Sequence, residues 1–239
     1  MMSIFWSFSA IQEELTKEIS GEVLSILGDR EQEYLGTLRF EKRRSEWLAG
    51  RIALKRLILS VQPELSELEP SQIQILKAEN GAPFLLANNE TRIGDRISLS
   101  HSNGYIFNAY SCEQEDLGID LERIEKRPQE FVQDFFTQEE IDQILLSPPE
   151  DQPLLATLIW SAKEAVLKAL MLGLKVDTRK INIHLKDHEP LTDGWLALGY
   201  ASSADNKENL RLFWRREIDF VLTTCVMGQE PVYFVQTKP

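Results

Sequence analysis

Apolar residues run almost unbroken through Trp160–Leu170, and this run predicts a buried helix. Neither Pro nor Gly interrupts it, and Ala, Leu, Lys and Glu, which favour helices, dominate it. At 100° per residue the apolar side chains cover most of the circumference, whereas Ser161, Glu164 and Lys168 fall on one narrow polar stripe. Charges on a buried helix need partners, because an unpaired charge inside a protein is costly. Alternatively, Glu164 and Lys168 form an ordinary i,i+4 ion pair on an exposed face.

A second informative pattern is the alternation of residues 117–122, LGIDLE, which predicts a strand with one apolar face. Gly118, Asp120 and Glu122 share the other face, with the two carboxylates about 6–7 Å apart along the strand. Such carboxylates repel each other unless a cation lies between them or water screens them. Gly118 on the same face would leave room for a ligand to approach the backbone. A solvent-facing acidic strand would show the same pattern.

Alternation elsewhere, mixed with helical periodicity, predicts an α+β fold. Asn80-Gly81 predicts the turn of a hairpin. Thr137 and Glu140 fit a capping box at the start of a helix near FFTQEEI, so capping is the default role of Glu140. Further strands are predicted at residues 73–76, 83–87, 97–100, 105–112, 181–185, 195–200, 210–214, 220–226 and 232–236, and short helices or loops at 12–18 and 28–35.

Phe40–Leu59 is predicted to be a long amphipathic helix with a basic stripe. Its cations cluster on one side and at its start: Lys42, Arg43, Arg44, Arg51 and Lys55. A solvated helix face is the ordinary explanation of such a cluster. In a chain with a formal net charge of −12, an anion site is the alternative.

The two long helices belong to a weak internal repeat. WLAGRIALKRL begins at residue 47 and WSAKEAVLKAL at residue 160, so the shared pattern W-x-A-x-x-x-x-L-K-x-L recurs at an offset of 113. The same offset aligns a turn and two predicted strands, which suggests a duplication, although a chance match of common residues is the alternative. We predict two pseudo-symmetric lobes, residues 1–112 and 113–239. Each would be a long helix packed on a small antiparallel sheet.

Composition and charge limit the classes of function. The acidic chain disfavours binding to nucleic acid or anionic membranes unless a local basic patch reverses the field. The two cysteines, Cys112 and Cys225, support neither a disulfide framework nor a zinc site, and we expect both to be reduced in a cytoplasmic protein. The N-terminal residues show no signal-peptide pattern, and no apolar stretch approaches the ~20 residues of a membrane span. Because a duplicated chain supplies both walls of its own cleft, we expect a monomer.

Three carboxylates, those of Asp120, Glu122 and Glu164, offer hard oxygen donors beside the ammonium of Lys168. Carboxylate ligands in a chain with few histidines favour Mg²⁺ over zinc, and Mg²⁺ usually completes its shell with substrate phosphates and water. Arg51 occupies the position of Glu164 in the repeat, which would make one wall of an inter-lobe cleft positive and the other negative. The residues therefore predict a Mg²⁺-dependent active site for a polyphosphate ester in that cleft. They leave transfer and hydrolysis open.

Three motifs make a resemblance specific: GIDLE at 118–122, WSAKEAVLK at 160–168 and SHS at 100–102. They resemble the 4′-phosphopantetheinyl transferases, in particular the larger single-chain type with two lobes, of which the surfactin-synthetase activator is an example. The likeness runs from about Phe40 to Cys225. The family transfers the phosphopantetheine arm of coenzyme A to a serine of a carrier protein, with Mg²⁺, and releases adenosine 3′,5′-bisphosphate. The resemblance therefore implies an enzyme whose partners are coenzyme A and an acyl or peptidyl carrier protein.

The resemblance also assigns roles to single residues. The metal ligands would be Asp120, Glu122 and Glu164. The C-terminal lobe would thus carry the metal and the catalytic helix, and the N-terminal lobe would bind the nucleotide and its 3′-phosphate. The phosphate contacts would come from Arg44, Arg51, Ser100, His101 and Lys168. The base that deprotonates the carrier serine would be Glu164, Glu140 or a metal-bound water, and the sequence does not choose among them.

One position departs from the family pattern. Family members often read G-K-P where this chain has Gly81-Ala82-Pro83, so a phosphate contact is lost or is taken over by Lys77. Two other functions fit the same residues. One is a Mg²⁺-dependent phosphohydrolase of nucleotides or coenzyme A, and the other is a non-catalytic module that binds coenzyme A or a carrier protein. For a transferase, the carrier would serve fatty-acid, polyketide or nonribosomal peptide synthesis.

Overall fold

The computed structural model describes residues 1–11, 20–91, 94–113, 115–172, 176–186, 194–203 and 206–237. Its helices are α1 Gly21–Ser25, α2 Asp29–Thr37, α3 Glu41–Val61, α4 Gln129–Phe135, α5 Gln138–Leu146 and α6 Gln152–Ala169. Its strands are β1 Met2–Ala10, β2 Ile73–Lys77, β3 Pro83–Ala87, β4 Glu90–Thr91, β5 Arg96–Ser102, β6 Tyr105–Ser111, β7 Leu117–Arg123, β8 Ile181–Leu185, β9 Leu196–Ser203, β10 Asn206–Glu217, β11 Phe220–Met227 and β12 Val232–Gln236. The predicted α+β class is confirmed. The element predicted at 12–18 lies outside the described residues.

The chain divides into two compact units. Unit 1 comprises Met1–Gln114 and Pro231–Pro239, and unit 2 comprises Glu115–Glu230. The sequence assigned residues 113–239 to a single lobe. The structure differs at the C-terminal end, because β12 pairs in parallel with β1 and so belongs to unit 1. No helix in the described part of the chain is long and apolar enough to cross a membrane.

Unit 1 is built around α3. Its sheet has the strand order β12-β1-β6-β5, and β2-β3-β4 form a second sheet. One side of α3 packs on these strands through Leu54, Leu57 and Ile58, and its other side packs against α1 and α2 through Trp47 and Leu48. Strand β1 was not predicted from the sequence.

Unit 2 is built around α6. Its antiparallel sheet has the order β7-β11-β10-β9-β8, and α6 packs on β7 and β11. The helix begins at Gln152 with Pro153 in its first turn, where the missing N–H of Pro costs no hydrogen bond. Its inward side chains, which include Leu158, Ala162 and Val166, are fully buried in the core of unit 2.

The two units repeat the same order of elements. In each, a first strand is followed by a long helix, then by a hairpin (β2-β3 or β8-β9), and then by two further strands. The neighbour order β1-β6-β5 in unit 1 matches β7-β11-β10 in unit 2. Ser7 of β1 pairs with Asn108, and Asp120 of β7 pairs with Thr223. This agreement in topology is the pattern expected for the predicted duplication.

Candidate active site

Strand β7 and helix α6 are in close contact, and Gly118 makes this contact possible. A Cβ atom at Gly118 would lie 2.0 Å from the carbonyl oxygen of Ala165 and 2.4 Å from the amide nitrogen of Ala169. The space beside Gly118 is therefore filled by the helix, and the prediction that a ligand approaches the backbone there is wrong. The same face of β7 carries Asp120 and Glu122, so these carboxylates face α6, and a solvent-facing strand is excluded.

Asp120 is buried and bonded at both of its carboxylate oxygens. Its Oδ1 accepts from Nζ of Lys168 at 2.8 Å, and its Oδ2 accepts from Oγ of Ser161 at 2.9 Å. Lys168 also donates to the carbonyl of Ile119, and the Ser161 hydroxyl lies 2.7 Å from that of Thr223. The polar stripe predicted on α6 thus meets the acidic face of β7. Lys168 is bound to the strand, which differs from an ion pair on an exposed helix face.

Glu122 is also bonded at both oxygens. Its Oε2 accepts from Nη2 of Arg127 at 2.7 Å, and its Oε1 accepts from Nε1 of Trp160 at 3.0 Å. Burial and the neighbouring Asp120 raise the pKa of Glu122, and the bonds from Arg127 and Trp160 oppose that rise. The Trp160 ring in turn contacts the rings of Phe131 and Phe135.

Glu164 differs from the other two carboxylates. Its Oε1 is buried and has no hydrogen-bond partner among the described residues. Burial raises the pKa of Glu164 to about 7, with further contributions from Asp120 and Glu122, while Lys168 acts in the opposite direction. The carboxylates of β7 and α6 are therefore close enough to repel one another. A buried carboxylate with a raised pKa is typical of functional sites, although structural networks also produce one.

The carboxylate cluster of Asp120, Glu122 and Glu164 offers oxygen ligands that suit a hard divalent cation. The observed positions of these side chains do not form a complete metal site. Among the described residues, no group of three or more His, Cys, Asp or Glu side chains is placed so that it could hold a metal ion. The carboxylate oxygens of Asp120 and Glu122 are bonded to protein donors instead. The unpartnered Oε1 of Glu164 is the feature that fits a cation. A metal at this place would share these carboxylates with protein donors or replace those donors.

Glu140 has a structural environment. The predicted capping box with Thr137 is present, and Glu140 is fully buried. Its Oε2 accepts from Nζ of Lys163 at 2.8 Å, and its Oε1 accepts from the backbone N–H of Ile183 at 2.9 Å. Lys163, whose side chain is also fully buried, donates to two backbone carbonyls as well. Glu140 thereby ties α5, β8 and α6 together, and its capacity to accept a proton as a base is taken up by these bonds.

The basic stripe of α3 is not a solvated face. Lys55 is fully buried and paired with Glu31. Arg51 is 8% exposed, and its guanidinium lies 4.6 Å from the centre of the Trp47 ring. Burial lowers the pKa of Arg51 to about 10, and Glu31 and Tyr34 act against that change. Arg51 and Lys55 therefore pack inside unit 1, whereas Lys42 and Arg43 at the start of α3 are exposed.

Of the other predicted phosphate ligands of unit 1, His101 lines a pocket of about 590 Å³. Its lining is Phe40, Lys42, Arg43, Glu46 and His101. His101 is exposed, with Nδ1 3.6 Å from Glu46, and Ser100 precedes it on β5, partly buried. Arg44 is partly buried at the start of α3, and the exposed Lys77 lies opposite Pro83 in the β2–β3 hairpin.

Four residues near the carboxylates of unit 2 or in the pocket of unit 1 were not predicted from the sequence as site residues: Lys42, Arg43, Arg127 and Lys163. Lys42 and Arg43 were noticed as part of a basic cluster, but no pattern placed them in a pocket. Arg127 lies outside any predicted helix or strand, and its bond to Glu122 depends on how the chain turns after β7. Lys163 sits among apolar positions of α6, and a Lys at such a position signals a buried partner.

Residues 116–225 include β7, α6 and the three carboxylates, and they match one family model. The match is to the 4′-phosphopantetheinyl transferase superfamily. The resemblance inferred from the motifs is thus confirmed for these residues.

One curated relative and several solved structures are similar to parts of this chain. The chain is 25% identical to a 4′-phosphopantetheinyl transferase of Bacillus subtilis over 131 residues, which are 55% of this chain and 56% of that protein. The match thus spans a little over half the length of this curated relative. Among solved structures, a holo-(acyl-carrier-protein) synthase from Bacillus anthracis, in complex with CoA (3′,5′-ADP), is 21% identical with a TM-score of 0.40. It covers 46% of this chain and 96% of its own. A holo-[acyl-carrier-protein] synthase from Thermotoga maritima is 20% identical with a TM-score of 0.36, covering 56% of this chain and 74% of its own.

Proposed function

We propose that this chain transfers the 4′-phosphopantetheine arm of coenzyme A to a serine hydroxyl of an acyl or peptidyl carrier protein. The carboxylate cluster of β7 and α6, which lies inside the superfamily match, is the observation that carries this proposal. In the reaction the serine oxygen bonds to the β-phosphorus of coenzyme A. The bond from that phosphorus to the bridging oxygen breaks, adenosine 3′,5′-bisphosphate leaves, and the serine proton passes to a base.

Mg²⁺ would be held by Asp120, Glu122 and Glu164, and when bound it would neutralise charge on the diphosphate. The unpartnered buried oxygen of Glu164 supports this assignment. Lys168 is a cation of the protein beside these carboxylates. Its side chain is 30% exposed, so a phosphate oxygen can reach it. It would stabilise the charge that develops on the leaving phosphate.

Glu164 is the residue we propose as the base. Its carboxylate lies in the cluster, and its Oε1 has no hydrogen-bond partner among the described residues, so this oxygen is available to accept a proton. Glu140 is a weaker candidate because Lys163 and a backbone amide occupy its oxygens. We therefore give Glu140 a positioning role.

Coenzyme A carries phosphates that need cations as partners. We propose that the pocket lined by Lys42, Arg43 and His101 binds such a phosphate, and we keep Ser100 and Arg44, their neighbours in the chain, as candidates for further contacts. Arg51 was predicted to contact the 3′-phosphate, but its burial against Trp47 supports a packing role instead. Lys77 is exposed and remains the candidate to replace the lysine that Ala82 lacks.

The test is the mass increase of an apo carrier protein incubated with the enzyme, coenzyme A and Mg²⁺. We expect Asp120→Asn and Glu164→Gln to lower the labelling rate at least ~100-fold, because each removes charge from the proposed site. The matched control is Glu130→Gln, which removes an exposed carboxylate of α4 and should label at the wild-type rate.

Wild-type labelling by both site variants would contradict the site assignment. Release of adenosine 3′,5′-bisphosphate in the absence of any carrier would favour a phosphohydrolase. Binding of coenzyme A without release or labelling would favour a non-catalytic binding module.

A further inference from the structure

Arg127 is an internal cation of the carboxylate cluster to which no role has been given. Its side chain is 11% exposed, and Nη2 donates to Glu122 at 2.7 Å. Nη1 lies 3.4 Å from Glu125, and the guanidinium stands 5.3 Å from the centre of the Phe131 ring. Nε is buried, with no hydrogen-bond partner in the part of the chain that the structure describes. The guanidinium is thus held mainly by one carboxylate and one aromatic face.

Both carboxylate oxygens of Glu122 accept hydrogen bonds in this arrangement. Arg127 takes Oε2, and the indole N–H of Trp160 takes Oε1. A divalent cation binds carboxylate oxygens directly, at about 2.0–2.6 Å. Because a carboxylate oxygen has two lone pairs, a cation could bind Oε2 beside the guanidinium, but the two positive charges would then lie a few ångströms apart and repel each other.

The charges of the cluster lead to the same conclusion. Asp120 has Lys168 as its partner, and Glu122 has Arg127. Opposite charges a few ångströms apart attract strongly when they are partly removed from water. In the metal-free protein Arg127 therefore neutralises the charge of Glu122, as a divalent cation would in the metal-bound protein.

We propose that Arg127 is a built-in counter-ion that competes with a divalent cation for the carboxylate of Glu122. The inference rests on the proposed function, because it takes the carboxylate cluster to be a metal site. Arg127 then lowers the metal affinity: it pairs with Glu122 when no metal is present, and its charge repels a cation that binds the same carboxylate. A residue that only oriented Glu122 for the metal would have the opposite effect on affinity.

The test is the dissociation constant of Mn²⁺ and of Mg²⁺, measured by isothermal titration calorimetry without coenzyme A or carrier. We expect Arg127→Gln to bind each metal about tenfold more tightly or better, because a competing positive charge is gone. Arg127→Lys keeps the charge and should stay near the wild-type value. Arg123→Gln removes an exposed cation from β7 and should change the affinity less than twofold.

Equal or weaker metal binding by Arg127→Gln, with a wild-type near-UV circular dichroism spectrum, would overturn the proposal. If that variant does not fold, the wild-type protein provides a second measurement. The indole N–H signal of Trp160, identified in NMR spectra by its loss in Trp160→Phe, should shift as Mg²⁺ saturates the protein, and an unmoved signal would also overturn the proposal. Failure of carrier labelling together with tightened metal binding would remove the proposed function and leave the role of Arg127 intact.

Discussion

At the scale of single residues, the three carboxylates of the candidate site have three different environments. Asp120 is neutralised by Lys168, and Glu122 by Arg127. Within the described ranges, the buried Oε1 of Glu164 has no hydrogen-bond partner. Burial next to two other carboxylates therefore makes the charged form of Glu164 the least favourable of the site. A carboxylate in this environment is stabilised by binding either a proton or a cation.

The first prediction concerns stability and pH in the absence of metal. The folded-state pKa of Glu164 is about 7, above its ordinary value of 4.5. Below about pH 4.5 the group is neutral in both states and costs nothing. Between about pH 4.5 and 7 the unfolded chain has lost this proton while the folded protein keeps it, so the free energy of unfolding falls, and above about pH 7 it levels off. We expect a loss of about 1–3 kcal/mol between about pH 5 and pH 8 in urea unfolding with EDTA present.

The control for this prediction is Glu164→Gln, which keeps the shape of the side chain and cannot ionise. Its free energy of unfolding should lack the component assigned to Glu164, so the difference between variant and wild type should grow with pH. A difference that stays constant from about pH 5 to pH 8 would show that Glu164 is already ionised at the lower pH.

Residue types and spacing predicted part of this site. Asp120, Glu164, Ser161 and Lys168 could be grouped from two periodicities, and the structure joins three of them by hydrogen bonds. The pKa of Glu164 could not be foretold, because it depends on how deeply the other elements bury it. The burial of Arg51 and Lys55 was missed for a similar reason: the partner of Lys55 is Glu31, which precedes it by 24 residues.

At the scale of elements, the contact of β7 with α6 shows what periodicity can and cannot tell. Alternation correctly placed Gly118 on the face that carries Asp120 and Glu122. It did not show what covers that face. The covering element is the helix backbone at Ala165 and Ala169, so Gly118 serves the packing of a strand on a helix and leaves no room for a ligand.

The second prediction is that Gly118→Ala strongly destabilises unit 2. Its Cβ would lie 2.0 Å from a backbone oxygen of α6, and a helix backbone cannot move aside as a flexible side chain can. We expect a loss of at least about 3 kcal/mol in the free energy of unfolding, at the upper end of overpacking costs. The measurement is chemical unfolding followed by circular dichroism.

Gly36→Ala is the matched control for that substitution. Gly36 lies in α2 with open space around it, and Ala is the better helix former. This variant should be as stable as the wild type or more stable by up to about 1 kcal/mol. If Gly118→Ala behaved like Gly36→Ala, the strand and the helix would not be in contact as described.

At the scale of the whole molecule, the chain builds unit 1, then unit 2, and returns to unit 1 with its last strand. The repeat pointed to the long helices and their sheets because both units contain them. It could not point to β12, which has no counterpart in the repeat. The predicted boundary after residue 112 is close to the observed division at Gln114 and Glu115, but the return of β12 depends on pairing with residues more than 200 positions away.

The last prediction tests this return. In unit 1, Met2–Trp6 of β1 pairs with β12 on one side, and Phe5–Ala10 pairs with β6 on the other. Removing residues 231–239 would leave the backbone groups on the β12 side of β1 without partners, as at an open sheet edge. We expect hydrogen exchange of the β1 amides that face β12 to accelerate strongly, while the amides of β7 and β11 in unit 2 keep wild-type protection. A chain that ends at residue 237 keeps β12 and should exchange like the wild type. Wild-type protection of β1 in the shorter chain would mean that β12 adds nothing to unit 1, whereas equal loss in β7 would mean that the two units unfold together.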